Sequence, residues 1–311
     1  MEGDAMNITL GSLFSGAIDG MTLGFQMASD KFNPIISNEI ESTAVKTAEA
    51  NYDHHIIQED IRNISIELYR DCNIILGTFP CQEYSKAAHI HKAGRKNNWK
   101  QAYHWASIRD LFLHFFRFIA ICQPEVYCWE NSPEVRSFPI VMETFRKLPP
   151  YQYYEMELDT IDFGLPQKRK RLFVVGFKRP YAMPSPMPAI KAQMTIADIK
   201  EDNPVIDIPE YVKSRLKGKY RDLPSIKKDH EIGNTCVAHY GRDRSTTLIE
   251  DPNGYMGYRP FTVREYARLQ GIPDWFNFAN GNTTNYKHIG NSVSPVVVQG
   301  LAQAILPYFT A

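Results

Sequence analysis

Cys81 is the residue of this sequence whose surroundings most favour nucleophilic chemistry. It follows Phe79-Pro80 at the end of an apolar segment, 73–78, and precedes a polar loop over about 82–105. Basic residues in that loop would make the position electropositive and partly exposed, which lowers the pKa of a thiol and favours the reactive thiolate. A single cysteine is more often a small buried hydrophobe, so other residues must decide between the two interpretations.

Glu130 is the second residue with a chemically distinctive position. It ends the apolar segment 126–129 and is followed by Asn131. A carboxyl group at the end of a buried strand tends to have a raised pKa and can keep a proton near neutral pH. The alternative is an ordinary acid at a strand terminus. A thiolate and a proton-donating acid together would form a nucleophile–acid pair.

A glycine-containing turn, 15–20, lies between the apolar segment 8–14 and the start of a helix. Backbone N–H groups of such a turn can approach a ligand closely. Glu39 ends the next strand about twenty residues later, where an acid can accept both hydroxyls of a ribose. Asp60 follows a third segment and could accept from an adenine amino group. Together these features predict a nucleoside pocket, although each alone is also typical of an ordinary turn or a solvated acid.

Strands alternate with helices through the first 177 residues. We predict strands over 8–14, 34–37, 73–78 and 125–129, and helices over 21–27, 41–51 and 108–121. This alternation predicts an α/β fold with a mostly parallel sheet and helices on both faces, and ligands bind such sheets at the carboxyl ends of strands. Prolines over 178–209 indicate an irregular second segment, and helices return over 263–270 and 295–307.

The net charge is +0, but the stretches 86–109, 164–179 and 211–228 are strongly basic. Local basic stretches in a protein without net charge favour a polyanionic partner, such as a nucleic acid, bound in one cleft. Any one of the stretches alone could also be a solvated loop. The five cysteines include no Cys-x-x-Cys pair, so we expect reduced thiols, no zinc site and a cytoplasmic location. The sequence shows neither a signal peptide nor an apolar run of membrane length.

The segments at the strand ends resemble, in order along nearly the whole chain, the motifs of the cytosine carbon-5 DNA methyltransferase family. The Pro-Cys-Gln, Gln-x-Arg-x-Arg and Gly-Asn-Ser-Val matches are the specific ones. The matching segments are Leu13-Phe14-Ser15-Gly16; Asn38-Glu39; Asp60-Ile61; Gly77-Thr78-Phe79-Pro80-Cys81-Gln82; Trp129-Glu130-Asn131; Phe163-Gly164-Leu165-Pro166-Gln167-Lys168-Arg169-Lys170-Arg171; Thr262-Val263-Arg264-Glu265, Arg268-Leu269-Gln270-Gly271 and Pro273-Asp274; and Gly290-Asn291-Ser292-Val293.

The resemblance implies a Rossmann-like class I methyltransferase sheet and a smaller, irregular target recognition domain. The implied domains are 1–177 (catalytic and cofactor-binding), 178–261 (target recognition), 262–288 (hinge and connecting helix) and 289–311 (a C-terminal helix returning to the catalytic domain). The implied cofactor is S-adenosylmethionine, and no metal is implied. The implied partners are duplex DNA and, in a restriction–modification system, a cognate endonuclease acting on the same site. We expect a monomer that does not bind membranes.

The resemblance also implies the role of each site residue. Cys81 would add to carbon 6 of a flipped-out cytosine, and Glu130 would bind and protonate ring nitrogen 3, so that carbon 5 accepts the methyl group. Arg169 would help hold the base or the charge at the site, and Arg171 would steady the same cluster. The implied cofactor-binding residues are Phe14, Ser15, Gly16, Gly20, Glu39, Ile40, Asp60, Ile61, Pro80, Asn291, Ser292 and Val293. The implied DNA-binding residues are Gln82, Ser85, Lys86, Arg95, Arg109, Thr235, Arg242 and Arg244.

The first turn departs from the family pattern. It reads Phe-Ser-Gly-Ala-Ile-Asp-Gly where the family has Phe-x-Gly-x-Gly-Gly, so Asp19 replaces a glycine and one residue is added near Ala17. Aspartate tolerates left-handed turns better than most residues, and we expect the pocket to persist. Ser132 stands where the family usually has valine after Glu-Asn.

Two alternative functions stay open on the sequence: cytosine methylation of RNA on the same fold, and a catalytically silent DNA-binding homologue. The long segment after Phe177 favours duplex DNA, because its loops could enter the major groove. The presence of Cys81, Glu130, Arg169 and Arg171 argues against a silent homologue. Amino-group methylation would need an acid or asparagine before Pro-Pro-aromatic, and a cysteine hydrolase would need a histidine base; no motif supports either.

Overall fold

A mixed seven-stranded sheet forms the centre of the computed structural model, which describes residues 7–80, 110–190, 192–218 and 224–310. Its strands are β1 Ile8–Leu13, β2 Phe32–Glu39, β3 His55–Gln58, β4 Ile74–Gly77, β5 Val126–Asn131, β6 Gln152–Asp159 and β7 Lys170–Phe177. They lie in the order β3-β2-β1-β4-β5-β7-β6, and β7 is antiparallel to both of its neighbours, β5 and β6. The first five strands are parallel, which confirms the predicted α/β architecture.

The helices of the described residues are α1 Gly20–Ala28, α2 Ser42–Glu49, α3 Leu111–Cys122, α4 Pro139–Arg146, α5 Ile196–Ile199, α6 Glu210–Leu216, α7 Val263–Gln270, α8 Asn282–Asn291, α9 Pro295–Ile305 and α10 Pro307–Thr310. Residues of α1 and α9 pack on one face of the sheet, and residues of α3 and α4 pack on the other. Short 3-10 turns cover Ile66–Tyr69, Pro133–Ser137 and Thr160–Phe163.

Alternation along each strand distributes apolar side chains between two cores, because successive side chains of a strand point to opposite faces. In β4, Ile74 and Leu76 pack on one face with residues of α1 and α9, whereas Ile75 packs on the other face with residues of α3 and α4. In β5, Tyr127 and Trp129 join the second core. Because both faces are covered, the strands read as continuous apolar runs, as expected for parallel strands inside an α/β protein.

Gly20 and Gly24 bring α1 unusually close to the C-terminal part of the chain. A Cβ atom on Gly24 would lie 2.5 Å from Cβ of Val298, and one on Gly20 would lie 2.2 Å from the carbonyl oxygen of Val293. Neither contact is possible for a residue with a side chain. The C-terminal segment is therefore fixed directly against the helix that follows the first turn.

The segment after β7 contains more regular structure than its prolines predict. A second sheet of three strands is formed by β8 Ser225–Lys227, β9 Thr247–Tyr255 and β10 Tyr258–Arg259, with β9 in the centre. Its core is shared with the main domain, since Ile249 clusters with Ile18 and Leu23. The predicted division between 288 and 289 falls inside α8, so it does not coincide with a break in secondary structure.

A buried ion pair joins this second sheet to α7. The guanidinium of Arg259 binds both carboxylate oxygens of Glu265 at 2.7 Å, and it also contacts Asp251. Glu265 in turn caps α7 by accepting from the backbone N–H of Thr262 at 2.9 Å. The end of the second sheet and the start of α7 are thus held as one unit.

The C-terminal stretch Asn282–Thr310 is long and apolar enough to cross a membrane if only length and composition are considered, with a mean hydropathy of 1.2. However, 72% of its apolar window is buried within the fold. Val297, Val298 and Leu301 of this stretch pack into the first core of the sheet. Its apolar character is therefore accounted for by packing against the sheet.

Candidate active site

The carboxyl ends of β1, β2, β4 and β5 open into a cavity of about 530 Å³. All twelve residues predicted to bind the cofactor line it, together with Glu130, Arg169 and Arg171. The other lining residues are Ala17, Ile18, Asn38, Glu41, Ala44, Glu59, Arg62, Thr78, Phe79, Leu111, His288 and Gly290. The structure therefore joins the two sequence-predicted groups, the nucleoside pocket and the acid with its arginines, in one space.

The first turn has a left-handed backbone at three positions: Phe14 (φ 57°), Gly16 (φ 67°) and Asp19 (φ 42°). Asp19 caps α1, because its Oδ1 atom accepts from the backbone N–H of Thr22 at 3.2 Å and from the hydroxyl of Ser12 at 3.0 Å. The aspartate that replaces the glycine of the family pattern thus supplies its own support, as expected for a residue that tolerates left-handed backbone and caps helices.

Glu39 stands at the end of β2 and binds the first turn. One carboxylate oxygen accepts from the N–H of Gly16 at 2.9 Å, and the other accepts from the N–H groups of Ile40 and Glu41, each at 2.8 Å. Burial raises the pKa of Glu39, and these three backbone donors oppose that rise. The carboxylate is therefore held rigidly at the cavity wall, where a ligand hydroxyl can approach it.

Glu130 and Arg171 form an ion pair at the opposite end of the cavity, with 3.0 Å between Oε1 of Glu130 and Nε of Arg171. Burial raises the pKa of Glu130, and the nearby Arg171 and Arg169 partly offset this effect. The register of β5 and β7 explains the pairing. Asn131 lies opposite Leu172, which places Arg171 just beyond the end of β5 and beside Glu130.

Arg169 lines the same cavity, and its predicted role of helping to hold the base or the charge there stays a prediction. Its guanidinium is buried and donates to the carbonyl oxygens of Cys236 at 2.7 Å, Gly290 at 3.0 Å and Ser292 at 3.0 Å. These groups belong to the second segment, to the end of α8 and to the turn before α9. In this geometry Arg171 is the arginine paired with Glu130, whereas Arg169 joins two parts of the chain that are distant in sequence.

The end of β4 is fixed next to Glu130. The side-chain amide of Asn131 donates to the carbonyl of Phe79 at 3.0 Å, and the ring centroids of Phe79 and Trp129 lie 5.2 Å apart. The hydroxyl of Thr78 donates to the carbonyl of Phe14 at 2.7 Å, which joins β4 to the first turn. Pro80 lines the cavity, whereas the predicted nucleophile, Cys81, lies outside the described residues.

The predicted DNA-binding residues divide into two groups. Gln82, Ser85, Lys86, Arg95 and Arg109 lie outside the described residues. Of the others, Thr235 donates to the carbonyl of Lys168, next to Arg169, at 2.5 Å. Arg244 is half-buried, and its positive charge acts on the nearby Tyr286 to lower the pKa of that hydroxyl against the effect of burial, whereas Arg242 is exposed.

Comparison with known proteins shows which family the chain belongs to. A family model described as C-5 cytosine-specific DNA methylase matches residues 8–307, almost the whole chain. The chain belongs to this family. It is accordingly a DNA cytosine-5 methyltransferase, as the motifs predicted.

Bacterial relatives agree with this assignment. The chain is 30% identical to the Type II methyltransferase M1.ScrFI of Lactococcus lactis subsp. cremoris, over 94% of this chain and 77% of that protein. It is 28% identical to the Type II methyltransferase M.NlaX of Neisseria lactamica, over 94% of both. The solved structure of the Entamoeba histolytica methyltransferase EhMeth is similar in fold, with a TM-score of 0.78, 20% identity, and coverage of 97% of this chain and 98% of that one.

Several wall residues of this methyltransferase were missed by sequence reasoning. His288 is buried in the wall, with its Nε2 atom 3.3 Å from the hydroxyl of Thr43, and burial lowers its pKa. It lies one helical turn before Asn291, so i,i+3 spacing from the Gly-Asn-Ser-Val motif could have found it. Glu41 pairs with Lys287 at 2.6 Å, which links the start of α2 to α8. No motif indicated that contact.

Proposed function

We propose that this enzyme methylates carbon 5 of cytosine within a specific sequence of duplex DNA, with S-adenosylmethionine as the methyl donor. One observation carries the proposal: a single cavity is lined both by the nucleoside-binding turn with Glu39 and by the buried pair of Glu130 and Arg171. A methyl donor and a target base can therefore meet in the same space.

The cavity fits the cofactor by size and by chemistry. Its volume of about 530 Å³ falls in the range typical of small-molecule sites. The carboxylate of Glu39 is oriented by backbone donors and keeps acceptor capacity for ribose hydroxyls. Asp60 stands beside Ile61 on the same wall and would accept from the adenine amino group. When bound, S-adenosylmethionine supplies an electrophilic methyl group.

The residues of the chain then activate the base. The Cys81 thiolate forms a bond to carbon 6, and Glu130 donates its proton to ring nitrogen 3, so that electron density builds at carbon 5 and this carbon can accept a methyl group. Loss of the carbon-5 proton to water then expels the thiolate, and return of the proton from ring nitrogen 3 to Glu130 restores both the neutral ring and the acid. Arg171, held 3.0 Å from the carboxyl group of Glu130, orients the acid and provides positive charge beside the base.

The target cytosine would be flipped out of the duplex into the cavity, because its reacting atoms are otherwise buried in the stacked DNA helix. The segment 178–261 would read the sequence. Thr235 and Arg242 lie on that segment, and the exposed Arg242 is better suited to a DNA contact than the half-buried Arg244. We assign phosphate contacts to Gln82, Ser85, Lys86, Arg95 and Arg109.

The biological setting follows from the relatives. Those named above are Type II methyltransferases, so we propose that this enzyme acts in the cytoplasm as a monomer, within a restriction–modification system whose endonuclease cuts the same site.

Methyl transfer to nucleic acid tests the proposal directly. The purified chain is incubated with S-adenosylmethionine carrying a labelled methyl group and with duplex DNA, and methylated cytosines are then located by bisulfite sequencing. We expect one methylated sequence context, and no product with Cys81→Ala. Full activity of Cys81→Ala would contradict the covalent mechanism. Activity on structured RNA without activity on duplex DNA would contradict the choice of substrate.

A further inference from the structure

Asp19 is a buried carboxylate in the first turn to which the proposed mechanism gives no role. It is 3% exposed. Its Oδ1 atom has two donors, Ser12 and Thr22, whereas its Oδ2 atom is buried without a hydrogen-bond partner in the described part of the chain. A buried carboxylate oxygen without a donor is costly, and burial raises the pKa of Asp19 to about 6. At pH 8 the group is therefore ionised and its charge is only partly compensated.

Among the described residues, the ionisable groups that act most strongly on Asp19 do not supply a compensating cation. Glu39 approaches it from the end of β2 and carries the same charge. Tyr52, after α2, and Tyr69, in the 3-10 turn before β4, also face it, and both have a pKa well above 10 and are neutral. The hydroxyl of Tyr52 donates to the carbonyl of Ile18, not to the carboxylate. Negative charge is thus concentrated behind the turn.

This charge lies directly behind the cofactor wall. Residues 14–18 and Gly20, on both sides of Asp19, line the cavity. The hydrogen bonds that Glu39 accepts in the described part of the chain come from backbone N–H groups, so its carboxylate is likewise held by neutral donors. A ligand resting on this wall therefore experiences the field of two fixed carboxylates.

We propose that Asp19 is a specificity-determining residue that favours the cationic sulfonium of S-adenosylmethionine over the neutral thioether of the product, S-adenosylhomocysteine. The inference rests on the proposed use of that cofactor. The two ligands differ by one methyl group and one positive charge at sulfur. A fixed anion behind the wall stabilises the charged ligand more than the neutral one, so it counteracts product inhibition.

The expected size of the effect follows from Coulomb's law. Two unit charges about 10 Å apart, at an effective dielectric constant of about 25 to 50 in a hydrated cavity, change an affinity ratio by about three- to tenfold. Asp19→Asn and Asp19→Gly both remove the charge, and both residues tolerate the left-handed backbone found at this position (φ 42°). Ser12→Ala removes a hydrogen bond to the same carboxylate and leaves its charge in place.

Calorimetric titration of the full chain with each ligand at pH 8 tests the inference. We expect the ratio of the Kd of S-adenosylhomocysteine to that of S-adenosylmethionine to fall about three- to tenfold in Asp19→Asn and in Asp19→Gly, and to be unchanged in Ser12→Ala. Having two charge-removing variants keeps the test decisive if one of them does not fold. An unchanged ratio in a folded Asp19 variant, or an equal fall in Ser12→Ala, would overturn the inference. A wild-type chain that binds neither ligand would instead contradict the proposed function.

Discussion

Replacing Glu130 by glutamine isolates the proton that the proposed chemistry requires. Glutamine keeps the volume of the side chain, and its carbonyl oxygen can still accept from Nε of Arg171, which lies 3.0 Å from Oε1 of Glu130. The amide can still donate a hydrogen bond to ring nitrogen 3, but it cannot transfer a proton to it. General acid catalysis contributes about 10²- to 10⁴-fold in rate, which corresponds to about 3 to 5 kcal/mol in the barrier.

The same substitution has the opposite effect on stability. Burial outweighs Arg171 and Arg169, so the pKa of Glu130 is raised in the folded state. A raised pKa contributes stability below the unfolded pKa, and this contribution is lost as the pH rises through the folded pKa. Glutamine carries no charge to desolvate and avoids that loss. We therefore expect Glu130→Gln to unfold at a temperature equal to or above that of the wild type, with a difference that increases from pH 5 to pH 8.

The rate constant of methyl transfer, measured under single-turnover conditions from pH 6 to 9, reports on the chemical step. We expect the wild-type rate to fall on the alkaline side as Glu130 loses its proton, and Glu130→Gln to be slow throughout with that dependence absent. DNA and cofactor affinities, measured separately, should change little. Glu143→Gln serves as the control, because Glu143 is an exposed glutamate on α4 that pairs only with Lys147 in the described part of the chain. A rate loss below about tenfold in Glu130→Gln, or an unchanged alkaline limb, would remove the acid role.

Two further substitutions test how the site is supported. In Gly20→Ala, the new Cβ would lie 2.2 Å from the carbonyl oxygen of Val293. We therefore expect the free energy of unfolding to fall by about 1–3 kcal/mol and cofactor binding to weaken, as measured by thermal unfolding and calorimetry. Normal stability and affinity would show that α1 and the C-terminal segment are not fixed together. In Arg259→Met, the carboxylates of Glu265 and Asp251 lose their buried partner. Urea unfolding should therefore show a free energy of unfolding about 3–5 kcal/mol lower than that of the wild type. Part of this loss should be recovered when Glu265 is also replaced by an apolar residue.

Local sequence signals were sufficient to predict the bounds of an element where residues at both of its ends specify the start and the stop. The predicted helix 263–270 has the observed bounds, because Thr262 and Glu265 form a capping box and Gly271 ends the helix in a left-handed conformation. The predicted strand 34–37 was too short, since β2 covers Phe32–Glu39. Pairing with β1 and β3 extends it at both ends, and strand pairing is a long-range property that a short window does not contain.

The site shows the same limit. Motifs identified Glu130, Arg169 and Arg171, but they did not indicate which arginine contacts the acid. That choice depends on the register of β5 against β7 and on carbonyl groups 67 and 121 residues away from Arg169, those of Cys236 and Gly290. Neither is encoded near the Gln-x-Arg-x-Arg motif.

The position of Arg169 has a consequence for the acid. Because its guanidinium donates to backbone carbonyls of Cys236, Gly290 and Ser292, its positive charge is fixed by the fold and does not depend on DNA. That charge lowers the pKa of Glu130 against the effect of burial. The carbonyl of Cys236 belongs to the proposed recognition segment, and that of Ser292 belongs to the cofactor wall. A movement of either segment would shift Arg169, and with it the proton affinity of Glu130. In this fold, the strength of the proposed catalytic acid is therefore tied to the backbone of the proposed cofactor wall and of the proposed recognition segment.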